Sequence, residues 1–416
     1  MPISLQNLSK IRSLETAWGL VKSRKSIESR KNSRGIDKVS LEDFEKNLSE
    51  NLNLISNKLR NNSYEPDSVK IVPQKKENGK YRFIAVPTIR DRIVQRAMLE
   101  LFMPYIKNII QTGVSYCGVK NDENEAMCTK KAVKKIIDHI KNGLFWFFKS
   151  DIEGFFDNIP KKSILKKIQN KIPLSEEVFK LTKKYIHYQV GNPEVFQKHR
   201  LKIPDDILGI TQGSALSPVF ANLYLADFDR KVKKVFGDRF IRYVDDFVVI
   251  CKDQKEAKEA LNFLKDEIKK IDLSLPNENK KDSKTRTGNL RASNKIDFLG
   301  LAIDRNRICP KGGIKELRFK IQNKLKLKKK NGEEYKSVKR NGKEYSVREQ
   351  IEEKIMGWAK HYSFYHVKEL YESLDIFIRE RAKNTKLLKG MIGLGTIKLS
   401  PIISEGDWQK MFSTKH

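Results

Sequence analysis

Hydrophobic positions near the start of the chain recur at helical spacing. Leu14, Ala17, Trp18 and Val21 form one apolar stripe, and Leu41, Phe44, Leu48, Leu52 and Ile55 form a second, each following the three-to-four-residue repeat of a helix face. The basic, polar stretch 29–38 between them reads as a loop. The period then changes. The runs 69–74 (VKIVPQ) and 81–88 (YRFIAVPT) are β-prone and flank Glu77-Asn78-Gly79-Lys80, and an Asn-Gly pair between two such runs predicts a hairpin. A helix is expected from near Asp91, with Ile93, Val94, Ala97, Met98 and Leu101 on one side. Another spans Glu125 to Lys141, gathering Ala132, Val133, Ile136, Ile137 and Ile140 and leaving Lys130, Lys131, Lys134 and Lys135 on its other faces.

Past Gly143 the run LFWFFKSDI is strongly β-prone. Ser217-Pro218 reads as an N-cap followed by Pro at the first helical position, opening a helix to about Lys234. RFIRYVDDFVVIC, at 239–251, places two β runs around a pair of carboxylates, and 254–271 is again a charged amphipathic helix. Residues 320–332 form a cationic helix or helix end, and 347–383 is an amphipathic helical region. The turn at 310–313 (Pro-Lys-Gly-Gly) marks a boundary within 304–315.

Charge narrows the class of partner. The 416 residues carry 84 Lys and Arg against 52 Asp and Glu, a formal net charge of +32, and an excess of that size points to a polyanion. Hydrophobic residues make up 39% of the chain, enough to bury real cores. No apolar run approaches the roughly 18 residues that span a bilayer, and the N-terminus lacks the apolar core of a secretory signal. Cys117, Cys128, Cys251 and Cys309 are widely spaced with no CxxC pair. They read as reduced residues of a cytoplasmic protein rather than as a zinc site.

Three aspartates carry the candidate chemistry. Asp151 ends the β run after Gly143, and Asp245 with Asp246 lies between the two runs of 239–251. Adjacent carboxylates at a strand turn repel each other. Taken alone, an Asp-Asp turn is a common solvated hairpin device. With a third carboxylate from a neighbouring strand, the pair can instead bind two hard divalent ions, which take oxygen ligands and clamp the attacking and leaving oxygens of a phosphoryl displacement.

The order SDIEGFFDNI (150–159), TQGSALSPVFANLYL (211–225), RYVDDFVV (242–249) resembles the successive palm motifs of reverse transcriptases, in particular bacterial enzymes of the group II intron and retron-like superfamily. Upstream, KKENGKYRFIAVPTIRDRIVQRAM is similar to their fingers segment. Downstream, Lys284-Thr285 and Phe298-Leu299-Gly300 resemble the last two palm motifs, and GWAKHYSFYH, at 357–366, resembles the thumb signature. The resemblance covers about residues 30–385. It implies an α+β, right-hand polymerase fold: an N-terminal helical extension over 1–60, fingers over 61–145, a palm of antiparallel sheet backed by helices over 146–304, a helical thumb over 315–385, and a tail over 386–416.

Carried over residue by residue, the resemblance implies Asp151, Asp245 and Asp246 as catalytic, metal-binding carboxylates, with the Ile152 carbonyl completing one ion's shell. The ions would be two Mg²⁺, with Mn²⁺ a substitute. Phe156 matches the bulky residue that excludes a ribose 2′-hydroxyl, whereas Phe155 reads as core. Gln212 and Gly213 match the loop that lines the incoming nucleotide. Lys80 and Arg82 match cations on the triphosphate, although Lys75 and Lys76 are also within reach, and Lys284 matches a proton donor to pyrophosphate. Trp358 and Tyr362 read as packing residues of the thumb.

Two positions depart from the family pattern: Thr211 stands where Pro usually precedes Gln-Gly, and Ala215 occupies a variable place. No HNH endonuclease pattern and no retron-type Val-Thr-Gly signature is found. The expectation is an RNA-directed DNA polymerase of the stand-alone, defence-associated kind, using dNTPs to extend a DNA primer or product on a structured non-coding RNA template, without a membrane partner. The alternatives are a maturase-like RNA-binding protein of a group II intron and a retron-type reverse transcriptase. The +32 charge would then line a nucleic-acid channel around a small acidic island.

Overall fold

The computed structural model describes residues 1–23, 33–75, 81–110, 113–117, 125–199, 207–280, 283–312, 314–326, 337–340, 343–362, 373, 374, 376–378 and 380. The chain folds into two compact units drawn from interleaved segments. Residues 1–132, 150–247 and 260–286 form the first, and 133–149, 248–259 and 287–416 form the second.

The first unit begins with α1 (Leu5–Leu8) and α2 (Ile11–Ser23), whose stripe buries Leu14, Ala17 and Trp18. The second stripe is split into α3 (Leu41–Lys46) and α4 (Leu48–Arg60). Ser40 opens α3 through a capping box with Asp43. The Asn51 amide reaches back to the Phe44 carbonyl at 2.9 Å, so a carbonyl near the end of α3 is satisfied without further helix. Leu41, Phe44, Leu52 and Ile55 are nevertheless all buried.

The predicted hairpin is present as β1 (Lys70–Lys75) and β2 (Tyr81–Val86), antiparallel with Lys70 opposite Val86 and Lys75 opposite Tyr81. Its Asn78-Gly79 turn and Lys80 lie outside the described residues. α5 (Ile89–Lys107) starts from a Thr88 cap and buries Ile93, Val94, Ala97 and Met98. Its Asp91 is buried yet fully partnered. The carboxylate accepts hydrogen bonds from the hydroxyls of Tyr64 (2.8 Å), Tyr185 (3.1 Å) and Thr88 (2.9 Å) and from the Asp67 N–H (3.0 Å). Burial still outweighs these bonds and pushes the carboxyl upward.

Further along are α6 (Glu125–Lys141), β3 (Trp146–Asp151), α7 (Phe155–Asn158), α8 (Lys161–Lys171), α9 (Glu176–Ile186) and α10 (Glu194–Lys198). They are followed by α11 (Ser217–Phe236), β4 (Phe240–Tyr243), β5 (Asp246–Cys251), α12 (Gln254–Lys269) and β6 (Arg286–Asn289). A four-stranded sheet has the order β4-β5-β3-β6. Ser217 does not cap α11. It is the first helical residue, and its hydroxyl pairs with that of Thr211 at 3.2 Å. The hydroxyl that serves the helix start is that of Ser214, which accepts the Leu216 N–H at 3.2 Å.

In the second unit β7 (Ile296–Phe298), β8 (Leu301–Ile303) and β9 (Ile308–Pro310) form an antiparallel sheet. α13 (Lys315–Lys326), the hairpin of β10 (Ser337–Arg340) and β11 (Lys343–Ser346), and α14 (Val347–Tyr362) follow. Trp358 and Tyr362 pack against each other with their rings tilted at 52°, centroids 5.0 Å apart. Residues 363–366 of the thumb signature and the tail from 386 lie outside the described residues. Among the described residues no helix is long and apolar enough to cross a membrane, and Cys117, Cys251 and Cys309 are not in disulfides.

Candidate active site

β3 delivers Asp151 because its sequence is aromatic and β-prone: Phe147 and Phe148 are buried, and so is every later residue of the strand. Ser150 anchors the strand end, its hydroxyl pairing with the Thr285 hydroxyl at 2.7 Å and donating to the Asp151 carbonyl at 2.9 Å. The chain then turns through Gly154, at φ +55°, into α7. That turn sends Phe155 into the core and leaves Phe156 half-buried, the two rings 5.4 Å apart.

The other two carboxylates lie at the two-residue turn, Val244-Asp245, between β4 and β5. Val244 adopts φ +60°, a region that costs a β-branched residue on the order of 1–3 kcal/mol. Asp245 follows in the turn and Asp246 begins β5. The Ile152 N–H donates to the Asp245 carbonyl at 3.1 Å. A backbone bond therefore ties the end of the strand bearing Asp151 to the turn bearing the other two.

Electrostatics at this junction are tense. Burial raises the Asp245 carboxyl, and the charges of Asp151 and Asp246 push it further up, against its own backbone hydrogen bond and Lys284. The Lys284 ammonium meets Asp151 Oδ2 at 2.5 Å. Desolvation pulls the lysine down, but the hydrogen bond and charge of Asp151, with Asp246 and Asp245 behind it, prevail and hold it above its ordinary value. The Lys284 side chain is 65% exposed and that of Asp151 13%, so the cation is the solvent-facing partner. Asp151 Oδ1 is buried without any hydrogen-bond partner.

Among the described residues no three His, Cys, Asp or Glu side chains are arranged as a metal-ligating cluster. The three carboxylates are tied by backbone and feel each other's charge, but repulsion gives their side chains no reason to converge. The donor set still fits a hard divalent cation: the candidate ligands are oxygens, and one of them, Asp151 Oδ1, is an orphaned buried oxygen.

The Gln212-Gly213 loop is joined to the same region. The Ala85 N–H of β2 donates to the Gln212 carbonyl at 2.7 Å. The Gln212 side-chain amide donates to Asp157 Oδ1 at 3.2 Å, and the Ile210 N–H donates to the Phe156 carbonyl at 2.8 Å. Gly213 sits at φ +126°, and a Cβ there would overlap the Ala85 carbonyl oxygen, so no side chain fits. Beneath it the Ser214 hydroxyl donates to Gln95 Oε1 at 3.0 Å. Arg82 lies exposed on β2, opposite Gln74.

Thus Asp151, Ile152, Asp245, Asp246 and Lys284 meet at one junction, while Phe156, Gln212 and Gly213 are linked by hydrogen bonds through α7. Reading the sequence missed Asp157 and Thr285. Asp157 stands in SDIEGFFDNI one place after Phe156, and Thr285 follows Lys284, so the motifs contained both, but nothing in their spacing announces a partner that is distant in sequence.

The turn bearing Asp245 and Asp246 thus lies beside the strand-end Asp151, and the Gln212-Gly213 loop is bound to the β1–β2 hairpin. A family model described as reverse transcriptase (RNA-dependent DNA polymerase) matches residues 73–303, and the chain belongs to that family. Its fold class is α+β, the right-hand polymerase fold. Protein YkfC of Escherichia coli (strain K12) is 25% identical over 261 residues, 55% of this chain and 65% of YkfC. Group II intron-encoded protein LtrA of Lactococcus lactis subsp. cremoris is 28% identical over 190 residues, 44% of this chain and 28% of LtrA. The retron Ec83 reverse transcriptase of Escherichia coli is 24% identical over 170 residues, 40% of this chain and 47% of that protein. The chain thus spans just under two thirds of YkfC and less than half of the other two.

Replacing Gly213 by Ala forces either β2 or the loop to move. We expect Gly213→Ala to break the Ala85–Gln212 hydrogen bond, to cost about 1–3 kcal/mol, and to lower kcat/KM for the incoming nucleotide. Thermal melts and steady-state kinetics of the variant check both.

Proposed function

We propose that this protein is an RNA-directed DNA polymerase that extends a primer with dNTPs on an RNA template. The observation that carries the reading is the Ile152–Asp245 backbone bond, which sets the strand end of Asp151 against the Asp245-Asp246 turn within the stretch matched by the family model. In the reaction the primer 3′-oxygen bonds to the α-phosphorus of the nucleotide, the bond to the bridging oxygen breaks, and pyrophosphate leaves.

Asp151, Asp245 and Asp246, with the Ile152 carbonyl, would hold two Mg²⁺, for which Mn²⁺ can substitute. Bound there, such ions supply Lewis-acid activation of the attacking oxygen and neutralise the charge on the leaving group. The remaining roles belong to the chain itself. Arg82 and Lys80 offset charge on the triphosphate. The Phe156 ring, half-buried beside Phe155, would exclude a ribose 2′-hydroxyl. Gly213 allows the backbone to approach the nucleotide, and Gln212, braced by Asp157, lines it. Lys284, kept charged by its carboxylate neighbours, carries a proton that it can give to pyrophosphate.

The template we assign is a dedicated, structured non-coding RNA copied in anti-phage defence. Support comes from the motif resemblance to the group II intron and retron-like superfamily and from a retron reverse transcriptase among the relatives.

Three outcomes follow. An Asp245→Ala, Asp246→Ala protein should lose primer extension on an RNA template by at least about a thousandfold, or roughly 4 kcal/mol of barrier; RNA-dependent effects that persist in it would favour a maturase-like role. Phe156→Ala should lower the preference for dATP over ATP in kcat/KM by about tenfold or more, and an unchanged ratio removes the gate assignment. Sequencing the RNA and DNA that co-purify with the full chain should return one structured RNA and its complementary DNA; a random sample of cellular RNA would count against a dedicated template.

A further inference from the structure

Beneath the Val244–Asp245 turn lies a buried charge pair that the proposed chemistry does not use. Arg242, on β4, is 0% exposed. Its Nε donates to Asp229 Oδ1 at 2.8 Å and its Nη2 to Asp229 Oδ2, a two-pronged pair. Its Nη1 donates both to Asn222 Oδ1 at 3.0 Å and to the Val244 carbonyl at 2.6 Å. Asp229 and Asn222 both project from α11, two turns apart, so a rigid helix aims the guanidinium.

Asn222 and the Arg242 backbone are anchored as well. Asn222 accepts the Ser115 hydroxyl at 3.1 Å and donates its amide to the Cys117 carbonyl. The Arg242 N–H donates to the Val114 carbonyl, and its own carbonyl accepts the Tyr116 N–H, each at 2.9 Å. A buried ion pair is a poor source of stability, because desolvation of both charges offsets their attraction. What this one supplies is direction. Val244 is held at φ +60°, and the carbonyl that a relaxing turn would swing is the one Arg242 grips. The next carbonyl, that of Asp245, accepts the Ile152 N–H. With consecutive carbonyls gripped, the Val244–Asp245 peptide cannot rotate, and the direction of the Asp245 side chain from the backbone is set.

We propose that Arg242, aimed by Asp229 and Asn222, is a positioning residue that fixes the Val244–Asp245 peptide and thereby sets how tightly Asp245 and Asp246 take a divalent cation. The inference rests on the reading of those aspartates as catalytic carboxylates. Arg242→Lys keeps the charge opposite Asp229 but loses the planar fork. In the full-length protein, without RNA or nucleotide, Mn²⁺ binding is read by electron paramagnetic resonance; Mg²⁺ dependence of primer extension, the KM for dNTP and the thermal melt are read alongside.

The expected result is a cooperative melt, an unchanged dNTP KM, and Mn²⁺ affinity and half-activating Mg²⁺ weakened by about 10- to 100-fold, with high Mg²⁺ restoring turnover. A folded Arg242→Lys protein that binds Mn²⁺ like the wild type overturns the proposal. If Arg242→Lys does not melt cooperatively, Asp229→Glu, which keeps both charges and displaces the fork by one methylene, is read by the same criteria. Loss of cooperative melting in both variants assigns the network to folding and also overturns the proposal. Asp245→Ala separates the two levels: unaltered Mn²⁺ binding and synthesis in that variant sinks the catalytic reading itself, whereas their loss alongside an unaffected Arg242→Lys protein sinks only the positioning role.

Discussion

Like charges stay together in this protein because backbone, not side chain, holds them. Asp151, Asp245 and Asp246 repel one another, and side chains left to themselves would turn away into solvent. The Ile152–Asp245 hydrogen bond and the strained turn at Val244 remove that freedom at the level of the main chain. The sheet order β4-β5-β3-β6, in which β5 runs beside β3, follows the same requirement. So does the Ser150–Thr285 hydroxyl pair, which brings the residue after Lys284 to the end of β3. The cost is visible in the raised Asp245 carboxyl and the orphaned Asp151 oxygen. Both signs show that the junction is not optimised for its own stability.

Much of the local structure could be read from sequence because it is governed by near neighbours. The stripes at Leu14 and Ile93, the hairpin of 70–86 and the strands on either side of Asp245-Asp246 depend on periodicity and turn chemistry that a short window contains. The misreadings arise where a polar side chain reaches outside its window. Asn51 bonds to the Phe44 carbonyl and divides the second stripe into two helices. Ser217 looks like a cap until Ser214 is seen to serve the helix start. Arg242 lies in a β-prone run beside the aspartates, and only the fold reveals that Asp229, thirteen residues earlier, buries with it.

The charge arithmetic of the chain takes on a different meaning once the acids are located. With 84 basic residues and 52 acidic ones, carboxylates are the scarce partner, and some are spent on partners within the protein. Buried Asp91 gathers two tyrosines, a threonine and a backbone N–H, buried Asp229 holds Arg242, and half-buried Asp67 holds Arg90. Basic side chains such as Lys131 and Lys134 of α6 face solvent, Lys134 beside Asp138, and the net charge of +32 favours a polyanion.

Gly213 and Val244 show two opposite uses of a backbone with positive φ. At Gly213 the strand β2 comes so near that only the absence of a side chain permits the contact, so glycine there serves proximity. At Val244 glycine would relieve the strain, yet the residue is β-branched. A β-branched residue has few alternative wells, so once Arg242 and the Asp245 bond force it over the barrier it gives the turn little room to wander. Glycine would make the same turn easier to form and easier to leave. The strain at Val244 thus works together with the buried guanidinium: one narrows the conformations open to the turn, and the other selects among them.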